Sequence, residues 1–449
     1  PHHPPNATDT GRSSVAKESV AITIEELRTV VRNAKSGAAP GPTGWTEELL
    51  LPLLEDEFIA GKLAEMANDI MNYNIDEHIR DRLTSCRLVG IPKVPKGVRP
   101  IAVSDVLLKA VCAIAMRRLS DVLPKHFDGI QYGIMYEGGA ETVAHAVREL
   151  IKKDENMQVV ALDAVNAFNT PSRTSIADAL YKATTPGSWV KADGTMDDSK
   201  ATPSAIKLNE TKWQSLWNLF MLEYGKPSKL MFHAGDGEPP TIIESCVGSR
   251  QGSCMGGYYF SLALMPSLVE AKKRFGSRGV AIYAYLDDVT LVGSDSVALS
   301  ECADFLCEQF GMANVTLNPT KCEWYGNKQH ERTGVAVRFN SNMRVVRRFP
   351  DGSEDIVVKQ SADEVPPGGA TDTPTTKGEK VKDGLKILGC FLSRDDAWIE
   401  QQLLDKLKKH QVFFRRLNIM GNCAASALLS ACGVPRMAYY VRIHEPANI

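Results

Sequence analysis

Val280-Ala281-Ile282-Tyr283-Ala284-Tyr285-Leu286-Asp287-Asp288-Val289-Thr290-Leu291-Val292 is a pair of apolar, β-prone runs folded about two adjacent acids. Upstream, Val159-Val160-Ala161-Leu162-Asp163 is a third apolar run, and it also ends on a carboxylate. The spacing predicts a strand to Asp163 and a hairpin around Leu286 to Val289. If the strand ends lie side by side in one sheet, up to three carboxylates meet within a few ångströms. Like charges that close repel, so they require cations or raised pKa values. Their hard oxygen donors suit Mg²⁺ or Mn²⁺. Two such ions about 3.5–4 Å apart stabilise both the attacking and the leaving oxygen of a phosphoryl transfer. Taken by themselves the same residues also read as a helix N-cap (Asp163) and an ordinary turn (Asp287-Asp288).

Working outward, Thr23-Ile24-Glu25-Glu26 is a capping-box start for a helix to about Lys35. A Gly- and Pro-dense loop follows at 36–45, then helices over about 46–80 and 104–123, with a strand from Cys86 to Ile91 between them. Gly138-Gly139 opens a helix to about Lys152, and another runs from Ser172 to Thr184. A hairpin is expected from Ser228 to Ser245, a helix from Tyr258 to Lys273, and a last strand from Lys386 to Phe391. The tail from about Ala397 is helical and basic. Polar stretches at 185–211 and 361–381 read as an insertion and a mobile linker. Strands and helices alternate without a regular βαβ rhythm, so the fold class is α+β, with antiparallel hairpins packed on helices.

The chain has 449 residues, 43% of them hydrophobic, enough for several domain-sized units. No apolar run reaches the ~18 residues of a membrane span, and the leading PHHPPNATDTGRSS has no apolar signal core. Ten scattered cysteines without a CxxC pair read as reduced thiols of an intracellular protein. The net charge of −2 runs against the basic surplus usual in nucleic-acid binders. Distribution matters more than the sum: basic clusters stand at Arg117-Arg118, Lys272 to Arg274, Arg344 with Arg347-Arg348, and Lys406 through Arg416.

The segments around the acids, in order over about 36–449, resemble a reverse transcriptase of the non-LTR retrotransposon kind. Gly37 to Trp45 resembles the segment that precedes the fingers in such elements. Ile91-Pro92-Lys93 with Lys96-Gly97-Val98-Arg99-Pro100-Ile101 is similar to a fingers motif, and Gln131-Tyr132-Gly133 with Gly138 to Glu141 to a further one. Leu162 to Thr170 resembles palm motif A, Arg250-Gln251-Gly252 opens motif B, Tyr285-Leu286-Asp287-Asp288 is the YxDD box, and Leu317 to Glu323 resembles motif D. Gly384 to Gly389 is similar to the primer grip, and Leu429 through Arg442 to the thumb. Motif B departs from the pattern: Ser253-Cys254-Met255-Gly256-Gly257 lacks the usual proline, which puts the rigidity of that turn in question.

The resemblance implies a right-hand polymerase: a disordered lead at 1–20, fingers at 21–154, palm at 155–395 carrying both insertions, and a helical thumb at 396–449. It implies Asp163 and Asp287 as principal metal ligands, with Asp288 and the Ala164 carbonyl in support, holding two Mg²⁺ or Mn²⁺ ions. Lys321 is implied as the acid that protonates pyrophosphate. Lys93 and Arg99 are expected to grip a triphosphate, Gln251 to touch nucleotide or template, and Phe168 to act as a steric gate favouring deoxynucleotides. Asn166 and Asn169 are read as caps for the following helix. The basic residues Lys406, Lys409, Arg415 and Arg416 read as one helix face along a primer–template backbone. The expected function is RNA-directed DNA synthesis on an RNA template from a DNA or RNA primer with dNTPs. No membrane is involved; the expected location is nuclear, and an endonuclease from host or element is an expected partner. An RNA-dependent RNA polymerase and a non-catalytic nucleic-acid-binding scaffold are the alternatives.

Overall fold

The structure is a computed structural model that describes residues 20–93, 97–127, 129–184, 215–233, 235, 239–326, 328–357 and 382–444. Lys96, most of the lead, and the stretches expected to be an insertion (185–211) and a linker (361–381) lie wholly or almost wholly outside these residues. The strands needed below are β1 (Cys86–Pro92), β2 (Val98–Val103), β3 (Gln158–Leu162), β4 (Ser228–Phe232), β5 (Thr241–Ser245), β6 (Ala281–Tyr285), β7 (Asp288–Gly293) and β8 (Glu323–Tyr325). The chain forms two compact units: residues 1–135, 166–270 and 310–316 make one, and 136–165, 271–309 and 317–449 the other.

In the first unit the sheet order is β2-β1-β4-β5. β1 and β2 form an antiparallel hairpin, β4 and β5 another, and the two hairpins join through a parallel β1–β4 pair. That parallel pair departs from the purely antiparallel expectation. The helix Val106–Arg118 is apolar on nearly every face, which is the pattern of a helix buried all round: Val106, Leu108, Val111, Ile114 and Ala115 are all buried. The helix Ile24–Arg32 starts with the expected reciprocal capping box: the Glu26 amide donates to Thr23 Oγ1 and the Thr23 amide to Glu26 Oε2. The region expected to be helical over 46–80 is three helices, Glu47–Leu53, Glu57–Met71 and Glu77–Thr84. Asp56 interrupts it by capping the middle one through the Ile59 amide.

The second unit is built on the sheet β6-β7-β3-β8, antiparallel at every pair. β3 is central, and Val159, Val160 and Leu162 are buried, as an interior strand requires. A second sheet of three antiparallel strands follows, β9 (Ala336–Phe339), β10 (Val345–Arg348) and β11 (Glu354–Ile356). The expected last strand from Lys386 to Phe391 is instead a tight hairpin, β12 (Leu385–Ile387) and β13 (Cys390–Leu392). Leu388 and Gly389 reverse the chain with φ of 49° and 88°, both left-handed. The helices Asp396–Leu417, Asn422–Leu428 and Val434–Ile443 complete the unit. Among the described residues no helix is long and apolar enough to cross a membrane.

Candidate active site

The carboxylate cluster follows from strand order. β3 and β7 are antiparallel neighbours, with Leu162 opposite Val289, so Asp163 leaves β3 beside the point where Asp288 enters β7. Tyr285 pairs with Asp288, which leaves Leu286 and Asp287 as a two-residue hairpin loop. Leu286 takes φ of 55°, a conformation glycine adopts freely and leucine only under restraint. Asp288 keeps surface open to solvent. Even so, crowding by protein atoms, then repulsion from Asp287 and Asp163, push its carboxyl up to about 6. Asp288 therefore lies close enough to feel the charge of both other acids.

On its other side β3 pairs with β8, with Ala161 opposite Glu323. Just before β8 the chain turns, and Lys321 Nζ on that turn lies 3.5 Å from Asp163 Oδ2. That oxygen is shielded from solvent and accepts no hydrogen bond. A shielded, unsatisfied carboxylate oxygen beside two further acids fits a divalent cation in charge and donor type. Among the described residues no three His, Cys, Asp or Glu side chains close around a single point, so the acids are neighbours but not a finished cage. The Asp163 main chain is held from the same side: the Asn318 amide donates to its carbonyl at 2.8 Å, and Ala164 bridges Leu317.

The other unit carries Lys93, Arg99, Phe168 and Gln251. Arg99 pairs across the hairpin with Ile91, and the Lys93 amide closes the turn on the Gly97 carbonyl. The pleat thus aims Lys93 and Arg99 to the same face, both exposed. Phe168 is half-buried against Phe260, ring centroids 4.9 Å apart. Its carbonyl accepts from the Ser249 amide at 2.8 Å. Gly248 (φ 72°) presses so close that a Cβ there would sit 2.4 Å from the Asn169 carbonyl carbon. Neither Asn166 nor Asn169 caps the next helix as expected. Asn166 is left-handed with no capping bond, and Ser172 Oγ accepts from the Ser175 amide instead.

Gln251 is half-buried, and its carbonyl accepts from the Ala102 amide of β2 at 2.8 Å. The turn that lacks proline is anchored by a residue the sequence did not single out. Arg250, 3% exposed, donates to Glu223 Oε1 at 2.5 Å, the Thr84 carbonyl at 2.6 Å and Ser228 Oγ at 3.2 Å. The Tyr224 ring lies between Arg250 and Arg173, with guanidinium carbons 4.9 and 5.1 Å from its centroid. Gly256 packs on the Arg250 carbonyl, where a Cβ would come within 2.6 Å, so it marks close packing rather than looseness. One hint was available in sequence: Glu223 is the single acid in the apolar run Leu216 to Tyr224, and a lone buried acid needs a partner.

The basic helix Asp396–Leu417 does not present one face. Lys406, Lys409 and Arg416 fall together at helical spacing, whereas Arg415 falls with Lys408 on another side. Lys408 pairs with Asp405 at 3.1 Å, and Arg415 reaches Gln411 at 3.5 Å. Burial, then the nearby charges of Lys386 and Lys409, lower the Lys406 pKa, which places Lys386 of β12 in the same basic group.

Residues 91–337 match the family described as reverse transcriptase (RNA-dependent DNA polymerase). The chain is 30% identical over 287 residues to the retrotransposable element SLACS 132 kDa protein of Trypanosoma brucei gambiense, covering 63% of this chain and 21% of that protein. It is 25% identical over 333 residues to the retrovirus-related Pol polyprotein from type-2 retrotransposable element R2DM of Drosophila melanogaster, covering 71% of this chain and 27% of that protein. The chain thus spans about a fifth to a quarter of the length of these relatives.

Proposed function

The chain belongs to the reverse transcriptase family, and from that premise we propose that it is an RNA-directed DNA polymerase that extends a primer 3′ end with dNTPs on an RNA template, in a retroelement or a domesticated relative. The observation that carries this reading is the strand order that brings Asp163, at the end of one strand, beside Asp287 and Asp288 in the hairpin of its neighbour. Asp163, Asp287, Asp288 and the Ala164 carbonyl would hold two Mg²⁺ or Mn²⁺ ions. Bound there, such ions neutralise charge on the attacking and leaving oxygens.

The protein groups have their own tasks. Asp163 and Asp287 supply the principal negative charge, and Asp288 supports them. Lys321, within reach of Asp163, gives a proton to the leaving pyrophosphate. Lys93 and Arg99, on one hairpin face, bind triphosphate oxygens. Phe168, braced by Phe260, lies under the sugar and excludes a 2′-hydroxyl. Gln251 contacts nucleotide or template. Lys406, Lys409 and Arg416, joined by Lys386, track duplex phosphates without reading sequence, and Arg415 on the other side makes a separate contact. In this reading 21–154 are fingers, 155–395 palm and 396–449 thumb, and the site of action is the nucleus with an endonuclease as partner. The relatives named above are retrotransposon proteins, which favours DNA synthesis over an RNA polymerase or an inert scaffold.

The test is primer extension on a primed RNA template with dNTPs and Mg²⁺. Wild-type chain extends the primer; Asp287→Ala reduces the rate by about 10³-fold or more, the scale of losing a central electrostatic group. Full activity in Asp287→Ala would refute the site.

A further inference from the structure

Asp163 stands just past the end of β3, where its amide has lost the ladder partner that a longer β8 would supply. The Asp163 N–H instead points at Cys322 Sγ, 3.4 Å away, and the thiol returns a long contact of 3.9 Å to the Asp163 carbonyl. Cys322 is 8% exposed, so water does not compete for this amide from that side. The turn that delivers Cys322 is fixed from within. Asn318 Oδ1 accepts from the Thr320 amide at 3.2 Å and Thr320 Oγ1 at 2.8 Å, while its carbonyl takes the amides of Lys321 and Cys322, both at 3.0 Å. The same turn donates the Asn318 amide to the Asp163 carbonyl.

We propose that Cys322 is a positioning residue: with the 317–322 turn it clamps both main-chain polar groups of Asp163 and so sets the direction in which that carboxylate presents Oδ2 to a divalent cation. This rests on the reading of Asp163 as a metal ligand. Sulfur is a weak acceptor, but an amide left without any partner in a shielded place is costly. Relaxation after loss of the thiol therefore rotates the peptide to find another acceptor, and the carboxylate turns with it. Lys321 is carried by the same turn, so the clamp also fixes the ammonium relative to the acid.

The experiment uses the full chain with Cys322→Ala, Cys322→Ser and Asp163→Asn. Binding of Mn²⁺ alone is counted by electron paramagnetic resonance, and hydrogen exchange at the Asp163 amide is followed in parallel. Cys322→Ala should weaken Mn²⁺ binding about tenfold, the usual effect of losing a group that orients a ligand. It should speed exchange at Asp163 while leaving the dNTP KM in primer extension unchanged. Cys322→Ser, which keeps an acceptor, should stay within about twofold of wild type, a difference under ~0.5 kcal/mol. Unchanged Mn²⁺ affinity in Cys322→Ala, or a loss in Cys322→Ser as large as in Cys322→Ala, overturns the clamp. Unchanged affinity in Asp163→Asn overturns the metal-site reading itself, and the clamp's purpose with it.

Discussion

Arg250→Met removes the cation that organises the turn bearing Gln251. Glu223, whose side chain is 1% exposed, is then left with Ser253 Oγ at 3.4 Å and the Cys112 thiol at 4.0 Å. Breaking one side of a buried ion pair costs about 3–5 kcal/mol, because the remaining charge stays in a poorly polarisable place. The Thr84 carbonyl loses its 2.6 Å donor as well, but Glu223 can take up a proton, which limits the total. The expected cost is thus about 4 kcal/mol, a large share of the ~5–15 kcal/mol that holds a domain together. Urea unfolding followed by tryptophan fluorescence should show one transition shifted to lower urea with its slope unchanged. Removing both charges, Arg250→Met with Glu223→Leu, should recover at least half of the loss, since apolar groups of similar volume replace buried pairs at little cost. A single variant costing under ~1 kcal/mol, or a double variant costing the sum of both singles, would show that the pair is not the anchor.

Asp288 makes stability depend on pH in a direction opposite to most surface acids. Its folded carboxyl sits at about 6 against an ordinary 3.8, so the unfolded chain releases the proton first as pH rises through that interval, and the metal-free fold loses stability there. Asp288→Asn should therefore melt above wild type at pH 8 in chelator, with the gap closing as pH falls from 6 to 4; a pH-independent gap refutes the assignment. Gly248→Ala places a Cβ against the Asn169 backbone at a left-handed φ, and thermal melts should report a loss of about 2–5 kcal/mol from strain and overpacking together. Phe168→Ala should raise ribonucleotide use relative to deoxynucleotide use by about tenfold or more in kcat/KM, about 1.4 kcal/mol; an unchanged ratio removes Phe168 as the gate.

The strands bearing the acids were legible because each is a short apolar, β-prone run next to a carboxylate: β3 leads into Asp163, and β6 and β7 flank Asp287 and Asp288. β2 and β8 were not. β2 is largely exposed at its hairpin end, and β8 has only three residues, too few to show alternation. The Lys386 to Phe391 run read as one strand because a leucine, not a glycine, opens its turn. Arg250 and Cys322 carried no local signal of their roles. An arginine beside Gln-Gly reads as a surface charge, and the acceptor of the Asp163 amide is fixed only once β8 is in register. The single basic face failed for a simpler reason: closeness in sequence is not closeness in angle, and Arg415 and Arg416 point about 100° apart.

The order β6-β7-β3-β8 has a further consequence for biosynthesis. Both neighbours of β3 are translated after it, and Leu162 meets its partner Val289 only when the ribosome has moved far downstream. Until then the nascent chain carries Val159 to Leu162 as an unpaired apolar strand with two open edges, the kind of segment that aggregates or recruits a chaperone. Closing so long a loop slows folding more than it weakens the product. The strand that bears the first acid is thus made early and completed late, and arrest of translation before residue 289 would release a chain unable to assemble its own carboxylate cluster.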